Sequence, residues 1–439
     1  MIDNRRLPAR LDGLTPIQIK YLQDTKHRFQ IVTSGRRSRK SLIGKRKVLQ
    51  HAIENPNHSY FYAAPTYPQA KGIFWEGLLR DTYYIRKSVN KSELTVILKN
   101  GTKIQVFGLQ KADRLEGQPW NGGHITEAGT CVTKDIWMEN LRPVFSDTKG
   151  FCILDGVPEG RNYYFDLALR CWPGGMGEPI ANEGAIGFNP ENPEWIHYNW
   201  FSSDVLDASE LEAAKRDMSE KLFKQEYEGA FIDYAGLAYY NFSDDNVKPN
   251  KYNPNYPVTI GMDFNVDPMT AVLLHIGYNN QGDKVVYQFG EIYLPNSNTF
   301  QMVDEIKDIL KLDTPTKIRA VEINPDATGS HSSSNATRSD ISILRQAGFK
   351  VNARKTNPRQ KDRINAVNNM FKSASGKVRY FVDPSCKKTI EDFHKVESLP
   401  DGKLDKSAEK AGLVHISDAL GYSIYYNFPL LGKDKKIQQ

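Results

Sequence analysis

The stretch from Phe29 to Lys47, FQIVTSGRRSRKSLIGKRK, constrains this chain more than any other. Phe29, Ile31 and Val32 start an apolar strand, Thr33 to Arg39 form a turn of small and basic residues, and Lys40-Ser41 opens a helix. In that layout backbone N–H groups and the positive end of the helix converge on an anion, as in a phosphate-binding loop. Gly35, Arg36, Arg37, Ser38 and Arg39 would line the phosphates, Lys40 would reach the β- and γ-phosphates of ATP, and Ser41 would ligate Mg²⁺. The pattern G-x-x-x-x-G-K-[ST] has glycines where this chain has Ser34 and Arg39, and Gly35 stands one place off. Taken alone, the turn fits a solvated basic loop as well.

A chain of 439 residues exceeds one hydrophobic core, so two or more domains are expected. No apolar run is long enough to span a bilayer, and MIDNRRLPARLD is no signal segment, so no membrane role is expected. Cys131, Cys152, Cys171 and Cys386 form no C-x-x-C pair, which suggests neither a zinc site nor a disulfide framework and fits a reducing cytoplasm. Charge is unevenly spread. Residues 1–54 hold 13 Lys/Arg against 4 Asp/Glu, and residues 349–380 hold 9 basic residues against Asp362 alone. Clustered positive charge favours a polyanion such as nucleic acid, although two solvated basic faces would look the same.

Around the loop the chain alternates between helix and strand. Thr15 and Pro16 read as the N-cap and first position of a helix, and the amide of Gln18 could read an adenine edge. Residues 60–66 read as a strand, 69–80 as a helix, and 94–98 and 103–107 as a hairpin turned at Asn100-Gly101. Such alternation argues for a parallel sheet. Next come Asp113-Arg114-Leu-Glu-Gly117 and then Gly122-Gly-His-Ile-Thr126-Glu127. Glu127 suits the acid that orients or deprotonates the attacking water, and Thr126 stands where a metal-associated Asp is expected. The strand 150–156 runs into Val157-Pro-Glu-Gly-Arg-Asn162, a third edge of the site or a plain strand-turn-helix. Residues 163–200 read as loops, and 207–223 as helical.

Three acids punctuate the second half. Val258 to Asp263 is a strand ending in an acid, followed by strands at 270–276 and 284–293 in an antiparallel meander. A helix over 299–310 and a strand over 318–323 lead to Asn324-Pro-Asp326-Ala-Thr-Gly329. The last acid, Asp418, lies in a helix with Leu413, Ile416 and Leu420 at helical spacing. Hard carboxylate oxygens from separate elements suit two Mg²⁺ or Mn²⁺ ions held ~3.5 to 4 Å apart, the arrangement that hydrolyses phosphodiesters. Separately, each acid could equally cap a turn or face solvent.

Taken in order, Leu-Thr-Pro-x-Gln, Ser-Gly-Arg-Arg-Ser-x-Lys-Ser, Ala-Pro-Thr, Arg-x-x-Gly, an acid-ended strand, Gly-x-Pro-x-Gly-x-Asn and the three spaced acids resemble the large terminase subunits of tailed bacteriophages. The resemblance implies an α/β protein: a P-loop ATPase domain of the ASCE type with a parallel-rich sheet (1–200), a linker subdomain (201–240) and an RNase H-like nuclease domain with a mixed sheet (241–439). It implies that Lys40 and Ser41 are the Walker A pair, Glu127 the catalytic acid, Arg114 a candidate arginine finger and 156–162 a coupling segment. Arg39, Thr126 and Val157 depart from the family, which usually has Gly, Asp and Thr there. It also implies that Asp263, Asp326 and Asp418 bind the nuclease metals, with Glu322 and Glu291 as auxiliaries and Glu322 competing with Asp326 for the second position. His415 shares a helix face with Asp418 and would meet phosphate or metal, or solvent. Arg354, Lys355, Arg359 and Lys361 would hold the DNA backbone, and Lys387, Lys388 and the tail from Lys433 to Lys436 could add to them. The implied partners are double-stranded viral DNA, a small terminase subunit and the portal of a procapsid, around which about five copies would form a ring. The setting would be host cytoplasm, transiently the portal, and not the mature virion. The competing reading is a metal-dependent nuclease whose N-terminal domain turns over no nucleotide.

Overall fold

The Phe29–Ser34 segment is a strand, β1, buried at every position, as a strand covered on both faces of a parallel sheet must be. It belongs to a computed structural model that describes residues 13–174, 184–330, 338–405, 407–408 and 412–430. The tail from Lys433 to Lys436 and the basic residues among 1–12 lie outside the described residues. The chain divides into two compact units, Met1–Leu211 with Lys224–Asp233, and Glu212–Phe223 with Tyr234–Gln439. The stretch 201–240, expected as a linker of its own, is thus shared between them.

In the first unit β1 is followed by β2 (Ser59–Ala64), β3 (Arg86–Asn90), β4 (Thr95–Leu98), β5 (Lys103–Gly108), β6 (Gly122–Ile125), β7 (Phe151–Gly156), β8 (Ala185–Gly187) and β9 (Trp195–Trp200). They form one nine-stranded sheet in the order β3-β4-β5-β2-β6-β7-β1-β9-β8. From β5 to β9 every neighbouring pair is parallel, and antiparallel strands finish both edges. The insertion of β7 between the loop strand and the acid-ended β6 is the additional-strand order expected of this class of P-loop fold. The hairpin β4–β5 forms as expected, with Gly101 at φ +87°.

The region 163–200 departs from the loops expected there. Tyr163–Leu169 is a helix, and β9 lies in the sheet beside β1 with every position buried. The strand is hidden in the sequence by its polar residues, His197 and Asn199, which are satisfied inside the fold. His197 Nε2 lies 2.7 Å from Thr33 Oγ1, and Asn199 Nδ2 donates to Thr33 Oγ1 at 3.0 Å.

The second unit contains β10 (Gly236–Leu237), β11 (Val258–Asp263), β12 (Met269–Tyr278), β13 (Lys284–Leu294), β14 (Val321–Pro325), β15 (Lys350–Val351), β16 (Tyr380–Val382) and β17 (Glu397–Ser398). β10 pairs with β17, and the other six form a mixed sheet ordered β15-β14-β11-β12-β13-β16. The meander β11-β12-β13 is antiparallel, whereas β14 lies parallel beside β11 and β15 parallel beside β14, as an RNase H-like sheet requires. The strand expected at 318–323 starts later, because Thr314 caps a short helix, Pro315–Arg319, and displaces it to 321–325.

The helix His415–Asn427 lies across β11. Gly261 makes this possible: a Cβ at that position would sit 2.1 Å from the backbone carbonyl oxygen of Ala419. Ser423 adds a hydrogen bond of 3.2 Å to Asn324 on β14. The close approach predicts that Gly261→Ala forces the helix off the strand and costs about 1–3 kcal/mol, measured as a lower urea midpoint for unfolding of the second unit.

Candidate active sites

The loop after β1 is braced by side chains from outside it. Gln18, fully buried, donates through Nε2 to the Ser38 carbonyl at 3.2 Å, and Trp200 Nε1 donates to the same oxygen at 2.9 Å. Ser202 Oγ donates to the Arg36 carbonyl at 2.6 Å. The Oε1 atom of Gln18 accepts from Thr15 N at 3.1 Å, closing the capping box of the helix Pro16–Gln23. One end of the Gln18 amide, of which an adenine contact was expected, therefore braces the loop, and the other caps its own helix. Gly35 is required by crowding, since a Cβ there would lie 2.1 Å from the Tyr227 carbonyl. Arg36 pairs with Glu226, while Arg37 and Arg39 are exposed.

Arg37 and Arg39 take positive φ, +61° and +68°. Arg39 thus adopts the left-handed backbone that the loop pattern assigns to glycine, at a cost of roughly 1–2 kcal/mol. The helix Lys40–Glu54 begins with no side-chain cap, which leaves its first-turn N–H groups open to an anion. Lys40 is buried and donates to the Gly35 carbonyl at 3.2 Å.

Beside Ser41 stands an acid that the motif reading passed over. Asp155, fully buried at the end of β7, accepts from Ser41 Oγ at 3.2 Å and from Thr126 Oγ1 at 2.6 Å through one oxygen. Its other oxygen lies 2.5 Å from His124 Nε2. Burial pushes its pKa up, but His124, Lys40 and Thr126 outweigh that and hold Asp155 below the ordinary carboxylate range. Its sequence signal was an acid closing an otherwise apolar strand, Phe-Cys-Ile-Leu-Asp. Glu127 follows β6 with φ +55°, and burial, opposed by Lys40, raises its pKa. The segment after β7 packs on this corner. A Cβ at Gly156 would lie 3.0 Å from Ala128 N, and Asn162 Nδ2 donates to the Gly129 carbonyl at 2.7 Å. Arg114 is exposed in the short turn Leu109–Leu115.

In the second unit Asp263, Asp326 and Asp418 line one cavity of about 460 Å³, together with Asn265, Gln360 and His415. Register explains the first two. Met262 pairs with Pro325 across parallel strands, and Asp326 N donates to the Met262 carbonyl at 2.9 Å, so both acids leave the same edge. Asp418 comes from the first turn of the helix His415–Asn427, whose Val414 and Ser417 amides donate to Asp392 Oδ2, each at 3.1 Å. Each acid has a partner: His415 Nδ1 lies 3.3 Å from Asp263, Asn357 donates to Asp326 at 2.5 Å, and Arg363 donates to Asp418 at 2.7 Å. Among the described residues no three His, Cys, Asp or Glu side chains are drawn close enough to enclose an ion as they stand. The donor set nevertheless suits hard divalent cations. Burial pushes Asp263 up to about 6, against its His415 hydrogen bond, and the negative charges of Asp418 and Asp326 add to the push. Cations would relieve that repulsion.

The auxiliary acids stand elsewhere. Glu291 accepts from Lys388 N at 2.9 Å and Thr389 N at 2.8 Å, capping the helix Lys387–Lys395. Glu322 pairs with Lys350 and Asn352 and does not line the cavity, so of the two candidates for the second position Asp326 is the one that does. Of the basic residues, Lys355 is exposed, Arg354 stacks 4.8 Å over Tyr425, Arg359 pairs with Asp362 at 3.0 Å, and Lys361 lies 4.4 Å over Tyr234. Gln360, at the start of the helix Gln360–Phe371, brings that basic segment to the cavity wall.

Comparison with known proteins agrees with this geometry. Residues 260–425 match the family model of the terminase RNaseH-like domain. The chain is 26% identical over 281 residues to a large terminase subunit of Escherichia phage T5, an alignment covering 60% of each chain. It is 23% identical over 267 residues to that of Thermus phage G20c, covering 54% of each. The chain thus spans somewhat over half the length of these relatives. The solved large terminase of a thermophilic bacteriophage has the same fold, with a TM-score of 0.61 at 16% identity over 94% of this chain and 98% of that one. The chain therefore carries a terminase RNaseH-like domain over residues 260–425 and is similar, in sequence and along nearly its whole length in fold, to the large terminase subunits of phages.

Proposed function

We propose that this protein is a large terminase subunit that hydrolyses ATP in its first unit to drive double-stranded viral DNA into a procapsid, and cuts concatemeric DNA with two metal ions in its second. The observation that carries this reading is the meeting of Asp263, Asp326 and Asp418, from two parallel strand ends and one helix, on a single cavity. The Lys40-Ser41 loop beneath a parallel sheet supports the ATPase half. So does the large terminase of the thermophilic bacteriophage, a protein of the same fold solved in complex with ADP and with ATP-gamma-S.

In the first unit, Lys40 and the open first turn of its helix would bind the phosphates of Mg²⁺-bound ATP, and Glu127 would accept the proton of the attacking water. Arg114, exposed on its turn, is free to reach a neighbouring subunit as an arginine finger. In the second unit, Asp263, Asp326 and Asp418 would hold two Mg²⁺ or Mn²⁺ ions, which when bound supply an activated water and charge neutralisation at the leaving oxygen. His415 orients Asp263 and Arg363 orients Asp418. Lys355, with Arg354, Arg359 and Lys361 behind it, would hold the DNA backbone without reading its sequence. Partners on this reading are a small terminase subunit and the procapsid portal, where a ring of about five copies would act, with the host cytoplasm as the setting and no place in the mature virion.

Three outcomes test it. DNA-stimulated ATP hydrolysis by the purified protein should fall at least ~100-fold in Lys40→Ala; absence of turnover from both proteins, with cleavage intact, would favour a nuclease with an inactive N-terminal domain. Nicking and linearisation of plasmid DNA in Mn²⁺ should disappear in Asp326→Asn while persisting in Glu322→Gln. Finally, Asp263 titrates near pH 6 and must ionise to bind a cation. Lowering the pH through 6 protonates it, so Mn²⁺ affinity measured by calorimetry on the second site should drop about tenfold between pH 7.5 and pH 5.

A further inference from the structure

β6 is followed by Thr126 and Glu127, so the residue before the candidate catalytic acid offers a hydroxyl and no charge. A phosphate-binding loop that carries a nucleotide with its divalent cation needs a carboxylate beside the loop serine, both to offset the cation's charge and to orient its ligands. Position 126 cannot supply one. The adjacent strand can. Ile125 pairs with Leu154 across the parallel strands β6 and β7, so Thr126, just past the end of β6, stands beside Asp155 near the end of β7. On its other side Asp155 is in register with Val32 of β1, close below the loop.

The hydrogen bonds show how the carboxylate is used. Oδ2 is occupied by His124, and Oδ1 accepts from both Thr126 Oγ1 and Ser41 Oγ. A serine that donates its proton to a carboxylate keeps its oxygen lone pairs for a cation. Thr126 therefore serves Asp155 as a second donor in the place where it would otherwise have to be the acid. His124 sits close under the loop helix, since a Cβ on Gly44 would meet its ring at 2.7 Å. That contact leaves the imidazole little room to move and keeps Asp155 aimed at Ser41.

We infer that Asp155 is the carboxylate that positions the nucleotide's divalent cation in this chain, taking over from β7 the role that residue 126 would fill on β6. The inference rests on the ATP reading above. Asp155 is a positioning residue on this account: it acts through Ser41 and through the waters of the cation, and the attacking water remains the business of Glu127.

The test is binding of fluorescent mant-ADP to the full-length protein, titrated in Mg²⁺ and in EDTA. Wild type should bind more tightly in Mg²⁺. Asp155→Asn should lose ~10–100-fold of the Mg²⁺ affinity and keep its affinity in EDTA within about twofold, because the phosphates are still held by the loop backbone and Lys40. The exchange Thr126→Asp with Asp155→Thr should restore the Mg²⁺ gain by returning the acid to β6. Circular dichroism checks that each variant is folded, and where Asp155→Asn is not, the exchange variant decides. A folded Asp155→Asn with the wild-type Mg²⁺ gain, or a folded exchange variant without it, would overturn the inference and leave Asp155 as a structural partner of His124. Failure of wild type to bind mant-ADP in either medium would overturn the ATP reading, and this inference with it.

Discussion

Both candidate sites depend on one arrangement, the delivery of carboxylates to the carboxyl ends of neighbouring parallel strands. Backbone register decides which side chains meet there, and the sheet gives each strand end a fixed neighbour. In the first unit that edge carries the phosphate loop, Thr126, Glu127 and Asp155, and in the second it carries Asp263 and Asp326. Burying such charges is unfavourable unless each one is answered, and leaving one unpaired costs far more than a pair contributes. The answers are specific: His124, Ser41 and Thr126 for Asp155, His415 for Asp263, Asn357 for Asp326 and Arg363 for Asp418. Glycine at 261 lets the helix that carries Asp418 and His415 lie close against β11.

The loop also stores strain. Two arginines in left-handed backbone, where glycine would be unstrained, persist because flanking groups over-determine them: Gln18 and Trp200 hold the Ser38 carbonyl, and Ser202 holds that of Arg36. What those positions gain is exposed positive charge beside the uncapped start of the helix Lys40–Glu54. The same corner is tied to the segment after β7 by Asn162, whose amide reaches the Gly129 carbonyl two residues past Glu127. That hydrogen bond ties the turn after β6 to the start of the helix Tyr163–Leu169.

Most of the second unit was legible in the sequence, because alternating apolar strands of clear length and a capped helix at 299–310 carry strong periodic signals, and because Asp263 ends a strand, Asp326 directly follows one and Asp418 lies in the first turn of a helix. The loop Lys40-Ser41 and the hairpin at Asn100-Gly101 were legible for the same reason. What escaped was whatever depends on tertiary partners. β9 was invisible because its His and Asn are buried against Thr33, a contact made across more than 160 residues of chain. Asp155 escaped because it comes from β7, whereas the motif's own acids follow β6. Glu291 and Glu322 looked eligible because nothing local shows that one caps a helix and the other pairs with Lys350.

The place of β9 in the sheet has a consequence for synthesis. β1 lies inside the first sheet, and its neighbours are residues 152–156 on one side and 195–200 on the other. A ribosome adding about 5–20 residues per second takes roughly 8–30 s to travel from β1 to the end of β9. Until then one hydrogen-bonding edge of β1 has no native partner. Nascent chains therefore pass through a long interval with an unpaired edge on an apolar strand, a template for non-native strand pairing.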